Sequence, residues 1–282
     1  AKMATGDQHS LAVKLDGSVW AWGANDSGQL GNGAKDSLVH SVPNTVMGAG
    51  GRVVLTGVGA LAAGTGFSLA LKNDGTILAW GLNGSGQLGN GNVVSSNVPV
   101  AVASLSQITA ISAGASHAMA LGADGTVWTW GDNAYGQLGN GTAANASIPT
   151  QVFGLNGVIG IASGVGYSLA LRSDGTVWAW GQNTAGQLGN GSNANAIIPI
   201  QVPELSNVIA ISAGGSHAMA LTSDSTVWSW GGNSAGQLGN GTYTAGSVPK
   251  PISGLNEMVS IAAGSNFSTA LKRDGSVWAW GD

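Results

Sequence analysis

A Trp-Gly dipeptide recurs with its Trp at positions 22, 80, 130, 180, 230 and 280, so every interval after a first one of 58 residues is 50 residues long. A fixed period of this length marks a repeat architecture, in which each unit leaves an apolar face that only a neighbouring unit can cover. Each unit reads approximately V-x-x-I-A-A-G, then G-x-x-(H/F/Y)-S-x-A-L, then DG(S/T)VWAWG, then NxxGQLGNG, then a V-P-x-x-V segment. Six copies carry the WG element and five continue through GQLGNG.

Within a unit the period is two. In Ser18–Gly23 the Cβ atoms of Trp20 and Trp22 point to one face and those of Val19 and Ala21 to the other. Both faces are apolar, which predicts a strand covered on both sides. The same reading holds at Trp128 and Trp130, Trp178 and Trp180, Trp228 and Trp230, and Trp278 and Trp280, while Leu78 replaces the first Trp of the second unit, so these positions absorb all 11 Trp residues. Upstream, Asp16-Gly17, Asp74-Gly75, Asp124-Gly125, Asp174-Gly175 and Asp274-Gly275 stand between alternating runs and predict tight hairpins, because Gly supplies the positive φ such turns demand. Asp224-Ser225 breaks the rule and predicts a turn that is strained or of another type. GQLGNG predicts an ordered loop with its Leu turned inward and backbone hydrogen bonds replacing side-chain ones.

Composition removes the competing classes. The 48 Gly have no three-residue period, which excludes collagen, and with no Cys there is no disulfide framework or Cys-based metal site. A hydrophobic content of 43% argues against disorder. Only 22 residues are charged, and the net charge of −4 gives no electrostatic footprint for nucleic acid or an anionic membrane. No charge falls between Asp74 and Asp124, yet Asn83, Gln87, Asn90, Asn97 and Pro99 interrupt the stretch, and a spanning helix needs about twenty predominantly apolar residues. No membrane span and no signal peptide is read, and the chain begins at Ala1 as an excised or mature chain would.

Four strands per unit, six times over, is the arithmetic of an all-β propeller, with a linear solenoid as the alternative. VWAWG followed by NxxGQLGNG and V-P-x-x-V resembles the repeat of the regulator of chromosome condensation family, over essentially the whole chain and in the form of a bacterial-type repeat protein. The resemblance implies a β-propeller in which V-x-x-I-A-A-G is the innermost strand and V-P-x-x-V the outermost. It implies one repeat domain over 1–282, with units near 1–52, 53–107, 108–157, 158–207, 208–257 and an incomplete 258–282. The first strand is then clipped to Lys2–Thr5, and the last of the six recognisable four-stranded blades lacks its outermost strand. Family propellers usually have seven blades, so the unpaired edge of blade six is a place for strand addition or self-association.

The family's functions range over nucleotide exchange factors, a photoreceptor, ubiquitin-ligase modules and inhibitors, and the residues discriminate among them. The photoreceptor's functional Trp lies in a GWRHT-type element, which here is Gly6-Asp7-Gln8-His9-Ser10 and its copies, without Trp. The basic residues number 9 and are dispersed, which disfavours exchange-factor action on chromatin. A propeller-type β-lactamase inhibitor shares V-x-AWG-x-N, but the repeats here are longer and carry GQLGNG.

No catalytic constellation is read. His9, His117 and His217 share the repeat position of Phe67, Tyr167 and Phe267, so they are packing residues. His40 stands alone in a loop without the partners a metal would need. Six of the 13 acids are hairpin residues, no two of the rest suggest a carboxylate pair, and there is no GxSxG elbow. Neither GQLGNG nor Gly64-Thr65-Gly66 is a phosphate loop. No catalytic, cofactor or metal residue is therefore assigned.

The leading expectation is a non-enzymatic scaffold that binds a protein partner through variable loops, with Asp26, His40, Arg52, Asp132, Tyr135 and Tyr243 as partner-binding candidates. Between Gly33 and Gly64 the first unit has 31 positions where Gly91 to Gly114 has 23, so eight residues near Met47–Leu61, Arg52 among them, form an insertion that could carry function. The alternative is a secreted or cell-surface structural repeat protein that self-assembles through its incomplete blade, which the low charge and abundant Asn, Ser, Thr and Gly suit.

Overall fold

The computed structural model describes residues 2–282. The chain is an all-β propeller of six blades, the first five four-stranded and the sixth three-stranded, so the solenoid alternative falls. Blade one pairs Lys2–Thr5, His9–Val13, Val19–Ala24 and Val39–Thr45, and blade two pairs Val58–Ala63, Phe67–Lys72, Ile77–Gly81 and Ser96–Ala101, in both cases antiparallel and in chain order. Blades three to five repeat this pattern, and blade six consists of Met258–Ala263, Phe267–Lys272 and Val277–Gly281. Within each unit described below, the first strands of successive blades touch one another, as do those of blades one and two or of blades five and six, which makes them the inner strands.

The described residues form two compact units. One runs to Ala134 and adds Ala144–Gln151, and the other comprises Tyr135–Ala143 and Val152–Asp282. In the first, Leu11, Val13, Val19 and Ala21 on one face of blade one bury Ala70, Leu78 and Trp80 from the opposite face of blade two. The face of blade two that carries Phe67, Leu69, Leu71 and Ile77 covers Ala118, Ala120 and Trp130 of blade three in the same way. In the second unit, Tyr167, Leu169, Leu171 and Val177 of blade four cover Ala218, Ala220 and Trp230 of blade five. Alternation thus gives each strand a forward face and a rear face, each buried by a different neighbour. Trp80, Trp130, Trp180 and Trp230 are fully buried.

The hairpins have a shared chemistry. In blades one to four and six, the hydroxyl of the Ser or Thr two residues after the turn Asp donates to its Oδ1, as Ser18 does to Asp16 at 2.6 Å and Thr176 to Asp174 at 2.6 Å. That hydrogen bond is the main reason these carboxyls lie below the usual carboxylate range. The exceptional turn keeps the common geometry, with Ser225 held at φ 69° where the other turns place Gly, so its peculiarity is strain. A non-glycine residue in that region costs about 1 kcal/mol, partly offset by the greater freedom of Gly in the unfolded chain. Ser225→Gly is therefore expected to raise stability by about 0.5 kcal/mol in urea denaturation, and a variant less stable than the parent would contradict the assignment.

The insertion is a small, self-contained excursion. Met47 bridges to Val54 around a tight turn in which Gly50 and Gly51 take positive φ, and Val46 and Leu55 on either side are buried.

Candidate functional site

The Asn that opens NxxGQLGNG is buried in all five copies, as Asn25, Asn83, Asn133, Asn183 and Asn233. Asn183 shows why. Its Oδ1 accepts from the Leu188 amide at 2.9 Å, while its Nδ2 donates to the carbonyls of Ser192 at 3.0 Å and Ala194 at 2.9 Å. Asn83 and Asn233 make the same set of bonds. One side chain thereby ties both ends of the loop to its turn. The Gln of GQLGNG is buried as well, and its Oε1 accepts from the amide two residues upstream, at 2.8 Å for Ser27 to Gln29 and 2.9 Å for Tyr135 to Gln137. The expectation that backbone bonds replace side-chain ones in this loop is thus corrected. An amide can donate and accept at once, and a Gly-rich turn leaves both kinds of backbone group for it to satisfy.

The Gln carbonyl serves the next blade. Trp80 Nε1 and Ser68 Oγ donate to Gln29 O at 2.8 and 2.9 Å, and Trp180 Nε1 and Ser168 Oγ to Gln137 O at 2.9 Å each. The loop glycines admit the neighbour's backbone, since a Cβ on Gly86 would stand 2.6 Å from Ser147 Cα and one on Gly186 would stand 2.7 Å from Ser247 Cα.

Between these fixed points the two x positions differ in every copy: Asp26-Ser27, Gly84-Ser85, Ala134-Tyr135, Thr184-Ala185 and Ser234-Ala235. The antiparallel order puts all these loops at the end of the sheets where third strands finish, with the Asp-containing hairpins and the 47–54 excursion at the other end. That division sorts the six candidates. Asp26 is exposed and accepts from Gln29 Nε2 at 2.9 Å. His40 belongs to the loop end but lies in the strand Val39–Thr45, where its Nε2 meets Asp36 Oδ1 at 2.9 Å. The reading of His40 as a lone loop residue is corrected: four positions of extended chain fold back to bring the carboxylate to the ring. The His40 contact is also what chiefly lowers the Asp36 carboxyl. Asp132 is half-buried at the loop end of the first unit. In the second unit Tyr135 is 42% exposed and Tyr243 75% exposed, both on these loops. Arg52 is exposed at the opposite end, separated from Asp26 and His40 by the length of a blade.

The repeated histidines are buried, as their packing role requires, but they are also polar links. His9 Nε2 lies 2.8 Å from Ser68 Oγ, and His217 Nε2 lies 2.9 Å from Ser268 Oγ. Each Ser gives its own proton to a Gln carbonyl, so the histidine is the donor and carries hydrogen on Nε2. Burial lowers all three histidines to a pKa of about 4. Where the position is aromatic, the neighbouring blade offers Ala in place of Ser: Phe67 packs with Ala118, and Tyr167 with Ala218. This pairing is visible in the sequence as residues 51 apart, or 59 for His9 and Ser68 across the insertion.

Among the described residues no group of three or more His, Cys, Asp or Glu is placed to hold a metal, and no helix is long and apolar enough to cross a membrane.

Comparison with known proteins follows the architecture. The profile of the RCC1-like domain matches residues 1–282. An RCC2 homolog of Danio rerio is 42% identical over 84 residues, a stretch that covers 30% of this chain and 16% of that protein, so the match spans about a sixth of the relative's length. Among solved structures, yeast RCC1 (Prp20) bound to Kap60 superposes with a TM-score of 0.85 at 28% identity, over 99% of this chain and 69% of that one. Prp20p from Saccharomyces cerevisiae, described with its binding properties to Gsp1p and histones, gives 0.83 at 27% identity over 99% and 71%.

Proposed function

Because this chain belongs to the RCC1-like domain family, we propose that it is a non-enzymatic scaffold that binds a protein partner through its NxxG loops. One observation carries the proposal: the loop frame is locked by buried Asn and Gln, while the first residue it displays is exposed and different in each copy. A rigid frame lowers the ordering cost of binding, and aromatic side chains on it are favoured anchors. Tyr135 and Tyr243 are the exposed aromatics of these loops, and Asp26 adds a carboxylate.

The structural relatives supply candidate partners. Binding of this chain to Kap60, Gsp1p and core histones is measured on immobilised protein. Tyr135→Ala with Tyr243→Ala is expected to weaken an observed interaction roughly tenfold, the loss typical of removing an interface anchor. Arg52→Ala, at the other end of the blades, is expected to leave it unchanged. Wild-type affinity in the tyrosine double variant, or weakening by Arg52→Ala alone, would reject the loop surface.

A second reading is favoured by blade six. Phe267 and Val277 are 44% and 68% exposed on its forward face, an apolar surface suited to self-association of a structural repeat protein at or outside the cell surface. Light scattering tests it, and a chain that stays monomeric at high concentration would set it aside.

A further inference from the structure

Two positions before each hairpin Asp stands a residue that changes from blade to blade: Lys14, Lys72, Gly122, Arg172, Thr222 and Lys272. In blade one Lys14 Nζ lies 3.4 Å from the centroid of the Trp20 ring, and in blade four Arg172 Cζ lies 5.9 Å from that of Trp178. In blades two, four and six the cation reaches Oδ2 of the hairpin carboxylate, Lys72 to Asp74 at 2.9 Å, Arg172 to Asp174 at 3.3 Å and Lys272 to Asp274 at 3.5 Å. The turn that enters the blade contributes as well: Arg172 Nε donates to Asn156 O at 3.0 Å, and Lys272 Nζ meets Glu257 Oε2 at 3.4 Å. Hairpin Asp, entering turn and, outside blade two, the first Trp of the third strand thus form a cradle that four blades fill with a cation of their own.

Blades three and five keep the cradle and lack the cation. With Gly122 and Thr222 at the position, a cavity of about 440 Å³ opens beside Asp124, Trp128, Ser106 and Gln107, and one of about 160 Å³ beside Asp224, Trp228, Ser206 and Asn207. Sites for whole small molecules run to roughly 300–1,000 Å³, so the smaller cavity suits a single head group. Asp124 Oδ1 accepts from the Thr126 hydroxyl and amide at 2.6 and 3.0 Å, and Asp224 Oδ1 from the Thr222 hydroxyl and the Thr226 amide at 2.6 and 3.1 Å. These hydrogen bonds, the hydroxyl's foremost, hold both carboxyls below the usual carboxylate range, so both are charged at neutral pH. Among the described residues neither forms an ion pair, although Oδ2 is the atom that takes the cation elsewhere. The entering turns carry strain at the same place. Ser104, Gln107, Glu204 and Asn207 are held at φ 58°, 56°, 63° and 54°, where the turn into blade four has Gly154 and Gly157. Polar side chains therefore stand at the rim against the local preference for Gly, and Gln107 and Asn207 take the position from which Glu257 touches Lys272.

We propose that the cavities of blades three and five each bind a guanidinium or primary ammonium group on an alkyl stem, supplied from outside the chain, in the place that Arg172 and Lys272 take from within it. The charged head meets Oδ2 of Asp124 or Asp224, and its face or stem lies on the Trp128 or Trp228 ring. Anionic ligands are disfavoured by those carboxylates, to which Glu204 adds a second in blade five. Both cavities lie at the hairpin end of their blades, away from the NxxG loops, and bind whether or not those loops do.

The test follows the indole N–H resonances of Trp128, Trp178 and Trp228 in the whole chain during titration with N-acetylarginine methylamide and with its uncharged isostere, N-acetylcitrulline methylamide. Trp128 and Trp228 are expected to shift saturably with the arginine compound in the millimolar range and about tenfold more weakly with the citrulline compound. Trp178, already covered by Arg172, is expected to stay in place. Asp124→Asn keeps an Oδ1 acceptor for the turn and removes the charge, so the affinity read at Trp128 should fall about tenfold. Thr222→Arg rebuilds the blade-four arrangement in blade five and should silence Trp228, while Arg172→Thr opens blade four and should make Trp178 respond. That last change is a gain of binding, which a misfolded chain does not produce. No shift of Trp128 and Trp228 at about 50 mM ligand, an equal response to citrulline, an undiminished Trp228 response in Thr222→Arg, or an unmoved Trp178 in Arg172→Thr would overturn the proposal. A Gly-Gly-Arg-Gly-Gly peptide separates the sources of the cation: affinity about tenfold above that of the amino-acid derivative assigns it to a polypeptide side chain, and equal affinity to a free small cation, either of which sustains the site.

Discussion

Lowering the pH from about 7 to about 5 is expected to destabilise the protein by several kcal/mol, because three buried histidines take up protons only when the chain opens. Burial holds His9, His117 and His217 at a pKa of about 4, against 6.5 in the open chain. Between those values the unfolded state binds more protons. The stabilisation is therefore complete above pH 6.5, declines as the pH falls toward about 4, and changes no further below that. At pH 5 the loss is about 2 kcal/mol per histidine, or about 6 kcal/mol for the three, against a total stability of about 5–15 kcal/mol for a typical protein. The physical cause is local. With Nε2 already donating to Ser68 or Ser268, a second proton on His9 or His217 would sit on Nδ1, which is buried without a hydrogen-bond partner.

The measurement is the urea midpoint as a function of pH for the parent and for a triple His9→Phe, His117→Phe, His217→Phe variant. Phe is native at this position in Phe67, and Ser68 and Ser268 keep their bonds to Gln29 O and Gln237 O. The triple variant should be nearly flat between about pH 7 and pH 5, and a slope equal to the parent's would refute the account. Hairpin aspartates act elsewhere: their carboxyls are depressed in the folded state, so their contribution is lost only as the pH drops below about 4.

Trp180→Ala is expected to destabilise the protein by about 3–5 kcal/mol, the range for emptying an aromatic site in a core. Trp180 is fully buried, its Nε1 donates to Gln137 O at 2.9 Å, and its ring lies so close to Gly139 that a Cβ there would be 2.7 Å from Nε1. Truncation removes the ring from that contact and the indole donor from Gln137 O, which still accepts from the Ser168 hydroxyl. The first Trp of the same strand is a sharp control. Trp178 is only half-buried, and its counterpart in blade two is already Leu78. Trp178→Leu is accordingly expected to cost clearly less than Trp180→Ala, because a half-buried ring replaced by Leu leaves a smaller void. Equal losses for the two substitutions would mean that the two Trp columns are energetically alike, against the packing described above.

Much of the architecture was legible because it depends on periods. Alternation in VWAWG specifies a strand buried on both faces, Asp-Gly specifies the hairpin, and the 50-residue interval specifies the blade. The roles of Asn183 and Gln137 were not legible, because an Asn in a Gly-rich loop looks the same whether it faces water or the loop's own backbone. Arg52 could not be separated from Asp26 without the sheet order, which assigns each connection to one end of the blades. His40 acquired Asp36 only when the loop between them folded back. His9 and Phe67 seemed interchangeable because each was compared with its own column of repeats, while the chemistry runs across to Ser68 or Ala118 in the next.

That cross-pairing gives the array a parity. A blade bearing His needs a successor with Ser to accept the imidazole hydrogen, while the blades bearing Phe67 and Tyr167 are each followed by one with Ala. Excising blade two alone would bring His9 against Ala118 and leave the imidazole's buried hydrogen without an acceptor, whereas removing blades two and three together would return a serine, Ser168, to that place. An array with this constraint gains or loses blades most easily in twos, so the heritable module in its growth is a pair of about a hundred residues rather than the single blade seen by eye.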